Sequence, residues 1–376
     1  ARLCLMAGIE NLTLSHFRSH RRAEMQLDGR PVALFGANGA GKTNILEAVS
    51  LLSPGRGLRR AMAEDLARRP EALGWKITAR FGAGASAALQ DLATWAEPGR
   101  SRDVRINGKA ATQSALAQVV RMVWLVPAMD RLWIEGAEGR RRFLDRLTLS
   151  LAPDHADLAL AYEKAMRERN RLLKDQITDP GWYQALEARM AASGAGLMAN
   201  RRHAVARLMA AQNAGQSAFP TADLVLIGPQ ADPMPMSEAD LATALAESRR
   251  RDLAAGRSLT GPHRADLGAI FRAKGMPAAQ CSTGEQKALL IALLLANARA
   301  LWQDTGTAPI LLLDEVAAHL DSNRRAALYD ELLGLGAQAF MTGTGAELFD
   351  SLAGQAQYFE VVDQEGLSTV LEKDGT

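Results

Sequence analysis

The chain has 376 residues, which is long for one ordinary domain and favours two lobes. Its 44 basic and 42 acidic side chains leave a net charge of +2, which excludes a polybasic tail protein; nucleic-acid binding would need charges sorted into patches. Two distant cysteines, Cys4 and Cys281, exclude a disulfide framework and favour a reducing cytoplasm. The longest apolar run, residues 288–296, has about half of the roughly 20 residues that a bilayer span needs. We therefore expect no membrane segment, and we find no signal-peptide pattern at the start.

The first third of the chain predicts strands around one helix. Apolar and polar residues alternate over residues 23–27 and 76–81, as they do in half-buried strands. Residues 32–35 are a short apolar run that suits a buried parallel strand, and residues 45–52 follow at helical spacing. The Asn-Gly pair at residues 107–108 predicts a tight hairpin turn.

The pattern changes between about residues 140 and 254, where apolar residues recur at the helical period in two long stretches. Residues 224–227 are expected to form an isolated strand in this part of the chain. After residue 261 the pattern returns to mixed α/β, with a buried strand at residues 310–313. The predicted domains are a discontinuous α/β head, residues 1–135 and 255–376, and an inserted helical lobe, residues 136–254.

Residues 36–43 match the phosphate-binding pattern G-x-x-x-x-G-K-[ST] at every constrained position, between a predicted strand and an amphipathic helix. Glycines let consecutive N–H groups surround a phosphate, and the N-terminus of the helix faces the same anion. The Lys42 ammonium is expected to reach the β- and γ-phosphates, and the Thr43 hydroxyl to ligate Mg²⁺. The predicted nucleotide-binding residues of this loop are Gly36, Asn38, Gly39, Gly41, Lys42, Thr43 and Asn44. The alternative is a glycine-rich turn without a ligand.

Two acids, Asp314 and Glu315, follow the apolar run at residues 310–313. They lie at the carboxyl end of a predicted strand, where α/β sheets bind ligands. Asp314 is placed to hold Mg²⁺, and Glu315 to orient or deprotonate an attacking water. The predicted catalytic residues are therefore Glu315 and Lys42, with ATP and Mg²⁺ as cofactors. One alternative is that the acids are structural, because buried strands often end in acids. Another is a small-molecule kinase, which would leave the second acid unexplained.

Residues 282–287, Ser-Thr-Gly-Glu-Gln-Lys, resemble the signature motif of ABC-type ATPases. In that class the signature caps the γ-phosphate bound to a second subunit, and this resemblance implies such a role for Ser282 and Gly284. The structural alternative is a capping box between Ser282 and Glu285 at the start of a helix. The predicted fold class is thus α/β, an ABC-type P-loop ATPase head with an inserted α-helical lobe.

Residues 317–321 resemble the D-loop, which in ABC dimers crosses the interface and would involve Asp321. The histidine that follows the next strand in transport ATPases is absent. Either Thr342 or Thr344 is expected to contact the γ-phosphate instead, and the sequence does not favour one over the other. No segment identifies the glutamine of a Q-loop.

Segments outside the nucleotide motifs resemble the RecF family over nearly the whole chain, except for the central helices at about residues 183–245. These segments are residues 12–18, 43–48, 54–59, 141–145, 169–174 and 261–266. The resemblance implies an ATP-dependent homodimer that clamps double-stranded DNA near gapped or single-stranded sites. It also implies that RecR and RecO are partners in loading recombinase, and that slow, DNA-stimulated ATP hydrolysis resets the protein. The alternative is a transport ATPase subunit, which the missing histidine and the inserted lobe disfavour.

Basic side chains in the predicted helical lobe are candidate DNA contacts. Arg141 and Arg142 lie near its start, and four more recur at spacings of 3, 4 and 3, which places them on one helix face. These four are Lys164, Arg167, Arg171 and Lys174. Such side chains bind backbone phosphates without reading sequence. The more common role of any one patch is a solvated face or an intramolecular ion pair, and Glu163 and Glu168 are close enough in sequence to pair with it.

Overall fold

The computed structural model describes residues 7–71, 73–83, 88–215, 217–228 and 237–374, and the chain divides into two compact units. The first unit comprises Ala1–Asp130, Ala214–Phe219 and Leu290–Thr376, and the second comprises Arg131–Asn213 and Pro220–Leu289. Across the described ranges, each helix is too short or too polar to cross a bilayer.

A mixed six-stranded sheet forms one layer of the first unit. In spatial order its strands are β15 (Leu367–Lys373), β14 (Gln357–Gln364), β3 (Val32–Phe35), β13 (Ala339–Gly343), β12 (Ile310–Leu313) and β8 (Met122–Leu125). The strands are parallel except for β15, which forms an antiparallel hairpin with β14. The two predicted buried strands, β3 and β12, are confirmed as interior strands of this sheet. They are apolar along their length because residues on both faces of an interior parallel strand are buried.

A second six-stranded sheet in the first unit is antiparallel. In spatial order it contains β2 (His20–Gln26), β1 (Ala7–Phe17), β4 (Trp75–Ala83), β5 (Gln90–Ala96), β6 (Asp103–Ile106) and β7 (Lys109–Ala111). The alternation predicted for β2 and β4 is confirmed, because Met25 and Ile77 are buried while their sequence neighbours are exposed or, at Thr78, half-buried. The predicted Asn-Gly hairpin joins β6 and β7, with φ of 51° at Asn107 and 76° at Gly108.

Helices α1 (Lys42–Ser50), α2 (Leu116–Val119) and α8 (Ser322–Gly334) belong to the first unit. The second unit is built mainly from four helices. They are α3 (Ala137–Leu151), α4 (His155–Lys174), α5 (Pro180–Asn213) and α6 (Glu238–Ala255). Helix α7 (Thr283–Thr305) follows later in the chain.

The second unit also contains a three-stranded sheet, so the expectation of an isolated strand at residues 224–227 is wrong. Strand β9 (Ala222–Ile227) pairs antiparallel with β10 (Asp266–Phe271), which pairs in turn with β11 (Met276–Pro277). The inward side chains Leu224 and Leu267 are buried, which gives the sheet an apolar face against its own unit. The compact unit that contains β9 and β10 extends to Leu289, whereas the predicted lobe ended at residue 254. The assignment of an ATPase head and an inserted lobe to these segments stays a prediction.

Candidate nucleotide site

The phosphate loop connects the end of the largely buried strand β3 to the first residue of α1. Its backbone is left-handed at Gly36, with φ of 143°, and at Gly41, with φ of 106°. A Cβ atom at Gly36 would lie 2.2 Å from the Val361 carbonyl oxygen, and one at Gly41 would lie 2.5 Å from the Ser368 Oγ atom. Both positions therefore require glycine for two reasons, the backbone conformation and the lack of space. The predicted loop is confirmed as a strand-to-helix connection.

The Lys42 side chain is buried, with 5% of its surface exposed, and it folds back over the loop. Its Nζ atom donates to the carbonyl oxygens of Gly36 and Ala37, both at 2.7 Å. Burial lowers the pKa of the Lys42 ammonium, and the negative charges of Glu315 and Asp314 oppose that shift. The ammonium group thus lies against main-chain oxygens, where an anionic phosphate would be a strong additional partner.

The two predicted halves of the site meet at Thr43 and Asp314. The Thr43 hydroxyl donates to the Asp314 Oδ1 atom at 2.9 Å, although the two residues are 271 positions apart. The Thr342 hydroxyl donates to the same Oδ1 atom, also at 2.9 Å, and accepts a hydrogen bond from the Glu315 backbone N–H at 2.8 Å. The parallel strands β12, β13 and β3 place these residues together, because the carboxyl ends of neighbouring parallel strands share one edge.

The chemistry of Thr43 and Asp314 suits Mg²⁺. Their hydroxyl and carboxylate oxygens are hard ligands, and Mg²⁺ is commonly held by one or two carboxylates together with substrate phosphates. Among the described residues, no group of three or more His, Cys, Asp or Glu side chains could hold a metal without such help. The donor set therefore fits a cation that arrives with a nucleotide.

A buried carboxylate beside the phosphate loop was not predicted. Glu47 on α1 is fully buried, and both of its oxygens accept hydrogen bonds from the Arg18 guanidinium at 2.9 Å. Arg59 lies 3.3 Å from the same carboxylate and donates to the Asn44 side-chain oxygen at 2.8 Å. The amide nitrogen of Asn44 donates to Ser19 at 2.8 Å. An acid on the apolar face of α1 was the available signal, because buried charges require partners.

The signature residues form a helix cap at the start of α7. The Glu285 carboxylate accepts hydrogen bonds from the Ser282 backbone N–H and hydroxyl, each at 3.0 Å. The Lys274 ammonium and these Ser282 hydrogen bonds lower the pKa of the Glu285 carboxyl to about 2. The structural alternative for this motif is therefore realised within the chain. Ser282 and Gly284 are exposed, and no atom lies within 4 Å of a Cβ built at Gly284. Their role across an interface stays a prediction.

Asp321 has a similar local role. Its Oδ1 atom accepts a hydrogen bond from the Arg324 backbone N–H at 2.9 Å, which makes it the N-cap of α8. Asp321 is exposed, and its contact across a dimer interface stays a prediction. The two threonines considered for the γ-phosphate contact differ in exposure. Thr342, within β13, is buried, and Thr344, directly after β13, is exposed.

Comparisons with known proteins agree on one family. The family model for the RecF/RecN/SMC N terminal domain matches residues 8–367. The DNA replication and repair protein RecF of Rhizobium etli is 48% identical over 370 residues, which cover 95% of this chain and 97% of that protein. The RecF of Caulobacter vibrioides is 48% identical over 383 residues, with 97% and 98% covered.

The chain belongs to the RecF family.

A solved structure of the recombination mediator protein RecF-ATP in the RecFOR pathway has a TM-score of 0.82 against this chain, at 21% identity and with 99% of each chain covered. The predicted fold class, an ABC-type α/β ATPase fold, is thereby confirmed. The match to RecF over nearly the full length also favours this family over the alternative of a transport ATPase subunit.

Three of the segments that resemble RecF outside the nucleotide motifs, residues 141–145, 169–174 and 261–266, lie in the second unit. Arg169 is fully buried and donates to Glu187 at 3.1 Å, to Asp252 at 2.6 Å and to the Ser258 hydroxyl at 2.8 Å. It also donates to the Leu245 carbonyl oxygen at 3.1 Å, so its guanidinium is surrounded by acceptors. This network joins α4, α5 and α6 around one charge and would be costly to disrupt.

We expect the Arg169→Met variant to lose about 3–5 kcal/mol of unfolding free energy, because the buried Asp252 carboxylate would lose its ion pair while Glu187 would keep that with Arg249. Urea denaturation followed by circular dichroism measures this. Arg171→Met is the matched control, since Arg171 lies two positions along α4, is exposed, and should change stability by less than about 0.5 kcal/mol. Equal stability of the Arg169 variant and the parent chain would contradict the assignment.

The Gly-Pro-His-Arg turn, residues 261–264, lies beside this network and shares Ser258 with it. The Tyr162 hydroxyl lies 2.7 Å from the His263 Nδ1 atom, and the His263 Nε2 atom lies 3.0 Å from the Ser258 carbonyl oxygen. Burial lowers the pKa of the His263 imidazole to about 4, so this histidine is neutral and structural at physiological pH. The exposed Arg264 side chain forms no hydrogen bond or ion pair within the described residues, and the sequence marked it only as part of this RecF-like segment, without a role of its own.

The predicted DNA contacts of the RecF-like lobe differ in their surroundings. Arg141 is half-buried and donates to the Ala265 carbonyl oxygen at 2.8 Å, and Arg142 is exposed and paired with Glu138. The predicted stripe on α4 is exposed at all four positions, Lys164, Arg167, Arg171 and Lys174. Arg167 pairs with Glu163 at 3.6 Å, and Arg171 pairs with Asp175 at 3.9 Å. Exposed pairs of this kind are weak, so the stripe is accessible to a polyanion.

Proposed function

We propose that this chain binds ATP with Mg²⁺ and hydrolyses it slowly as a DNA replication and repair protein of the cytoplasm. The observation that carries the proposal is the Thr43 to Asp314 hydrogen bond of 2.9 Å, which brings the phosphate loop and the acidic strand end into one site. ATP turnover by the purified chain, with and without gapped DNA, tests it. Turnover no greater than in a buffer blank would overturn the proposal.

Each residue of the site has a distinct role in this proposal. Lys42 and the loop N–H groups bind the β- and γ-phosphates, and Thr43 and Asp314 hold the Mg²⁺ ion. When bound, Mg²⁺ neutralises charge that develops on the phosphates. Glu315 orients the attacking water and accepts its proton. The rate of hydrolysis therefore depends on the position of the Glu315 carboxylate.

The exposed signature turn supports an ATP-dependent homodimer. Ser282 offers an exposed hydroxyl that would have to exchange Glu285 for the phosphate, Gly284 is exposed with open space where a side chain would stand, and α7 offers a helix N-terminus; together these suit the γ-phosphate of a second copy. ATP would then control how long two copies enclose double-stranded DNA near gapped or single-stranded sites. RecR and RecO are the proposed partners in loading recombinase, by likeness to the RecF family.

The basic stripe on α4 supports a contact with the DNA backbone. Lys164 and Lys174 are exposed, and no ion pair of either is found in the described part of the chain. We expect the double variant Lys164→Ala, Lys174→Ala to bind DNA more weakly and to reduce the slope of log affinity against log salt by about 2. Fluorescence anisotropy over a salt series measures the slope. The control is Lys76→Ala, an exposed lysine on β4 of the first unit, and an unchanged slope in the double variant would remove the stripe from the DNA surface.

A further inference from the structure

Thr342 occupies a position beside the acidic pair that the sequence did not resolve. It lies near the end of β13, and β13 runs parallel to β12 with Met341 opposite Leu313. This register sets Thr342 next to Asp314, the first residue after β12. Only 1% of the Thr342 surface is exposed, so its hydroxyl must find its partners inside the protein.

The hydrogen bonds of the Thr342 hydroxyl use its proton fully. The hydroxyl donates to the Asp314 Oδ1 atom at 2.9 Å and accepts from the Glu315 backbone N–H at 2.8 Å. A hydroxyl group has one proton to donate. A γ-phosphate contact from Thr342 would therefore require it to give up Asp314, at a buried position where lost hydrogen bonds are costly.

Glu315 has a backbone that needs such support. Its φ is 54°, in the left-handed region that a residue with a Cβ atom rarely adopts. Conformations of this kind persist where the surrounding structure holds them, and they cluster at active sites. The pairing of β12 with β13 ends at Leu313. Beyond it, the backbone N–H of Glu315 donates to the Thr342 side chain and not to a strand carbonyl.

We propose that Thr342 is a positioning residue for Glu315 and does not contact the γ-phosphate. By fixing the Glu315 N–H, it holds the left-handed turn that directs the carboxylate towards the attacking water. This inference rests on the proposed ATPase function and deepens it. The sequence left open whether Thr342 or Thr344 contacts the γ-phosphate. This proposal gives Thr342 a positioning role instead of that contact.

The test compares Thr342→Val, which keeps the shape without the hydroxyl, with Thr342→Ser, which keeps the hydroxyl. We expect the valine variant to lose about tenfold or more in kcat, since small misplacement of a catalytic group is costly. Its KM and its Kd for ATP, measured with a fluorescent ATP analogue, should stay within about twofold of the parent. The serine variant should keep kcat within about twofold. Thermal melting confirms that both variants fold.

A second background separates positioning from direct contact. In a Glu315→Gln chain, Thr342→Val should change the residual single-turnover hydrolysis by less than about twofold, because the group that it positions is already lost. The proposal is overturned by an unchanged kcat in Thr342→Val, by an equal loss in both backgrounds, or by weaker binding of ATP but not of ADP. The last result would assign Thr342 to the γ-phosphate.

If the valine variant does not fold, Thr342→Cys provides the same test, since a thiol is a much weaker hydrogen-bonding group of similar size. The cysteine variant should lose less kcat than is expected for Thr342→Val, with KM unchanged. A kcat equal to that of the parent chain would overturn the proposal. Failure of the ATPase proposal looks different, because the parent chain itself would then show no turnover that depends on Lys42.

Discussion

Replacement of Lys42 by alanine is expected to weaken ATP binding about 100-fold, because it removes the ammonium group that is proposed to bind the β- and γ-phosphates and that the Gly36 and Ala37 carbonyl oxygens hold over the loop. The buried position makes this charge effective, since little water screens it. If ATP controls the hold on DNA, the variant should also lose nucleotide-dependent retention on DNA. Isothermal titration with ATP·Mg²⁺ and dissociation of a labelled gapped duplex measure the two effects.

Lys109→Ala is the matched control for this experiment, because Lys109 is an exposed lysine of the same unit at the start of β7. It should bind ATP and hold DNA as the parent chain does. Retention on DNA that is unchanged in Lys42→Ala would contradict ATP control. Unchanged ATP affinity would contradict the assignment of the loop itself.

The Glu315→Gln variant is expected to bind ATP normally and to hydrolyse it about 100 to 1,000-fold more slowly. An amide is nearly the same size as the carboxylate but cannot accept the proton of the attacking water. The backbone N–H that donates to Thr342 is retained, so the site should keep its shape. Because the ATP state would last longer, the variant should dissociate from gapped DNA more slowly than the parent.

Single-turnover hydrolysis of radiolabelled ATP and the DNA dissociation rate measure this outcome. Glu347→Gln provides a control, because Glu347 lies in the short 3-10 helix after β13 rather than at the end of β12. Hydrolysis at the parent rate in Glu315→Gln would remove Glu315 from the chemistry. Slow hydrolysis with parent-like dissociation from DNA would separate ATP turnover from the hold on DNA.

The sequence predicted the parts of the nucleotide site that depend on local pattern. The phosphate loop is continuous in the chain, and its glycines report a backbone conformation directly. Asp314 and Glu315 were predictable because an apolar run ending in acids marks the carboxyl end of a buried strand. The helix cap of Ser282 and Glu285 was also readable, since its two members are three residues apart.

The remaining features join residues far apart in the chain. The Thr342 hydroxyl is useful only because β13 lies beside β12, and strand order is not encoded in any one segment. The same holds for β9, whose partner β10 begins after α6, so that a short apolar run looked isolated. The partners of Arg169 come from three separate segments, and a single arginine in a helix gives no sign that it will be buried. The basic stripe, by contrast, follows from helical spacing alone.

We propose that two copies of the chain close each other's ATP with the turn that begins at Ser282. The most direct test is the mass in solution of Glu315→Gln at saturating ATP·Mg²⁺, measured beside the same chain carrying Ser282→Arg. We expect twice the mass of one chain for the first, and one chain for the second even though it still binds ATP. Single chains in the first sample, or pairs that tolerate Ser282→Arg, would contradict the account.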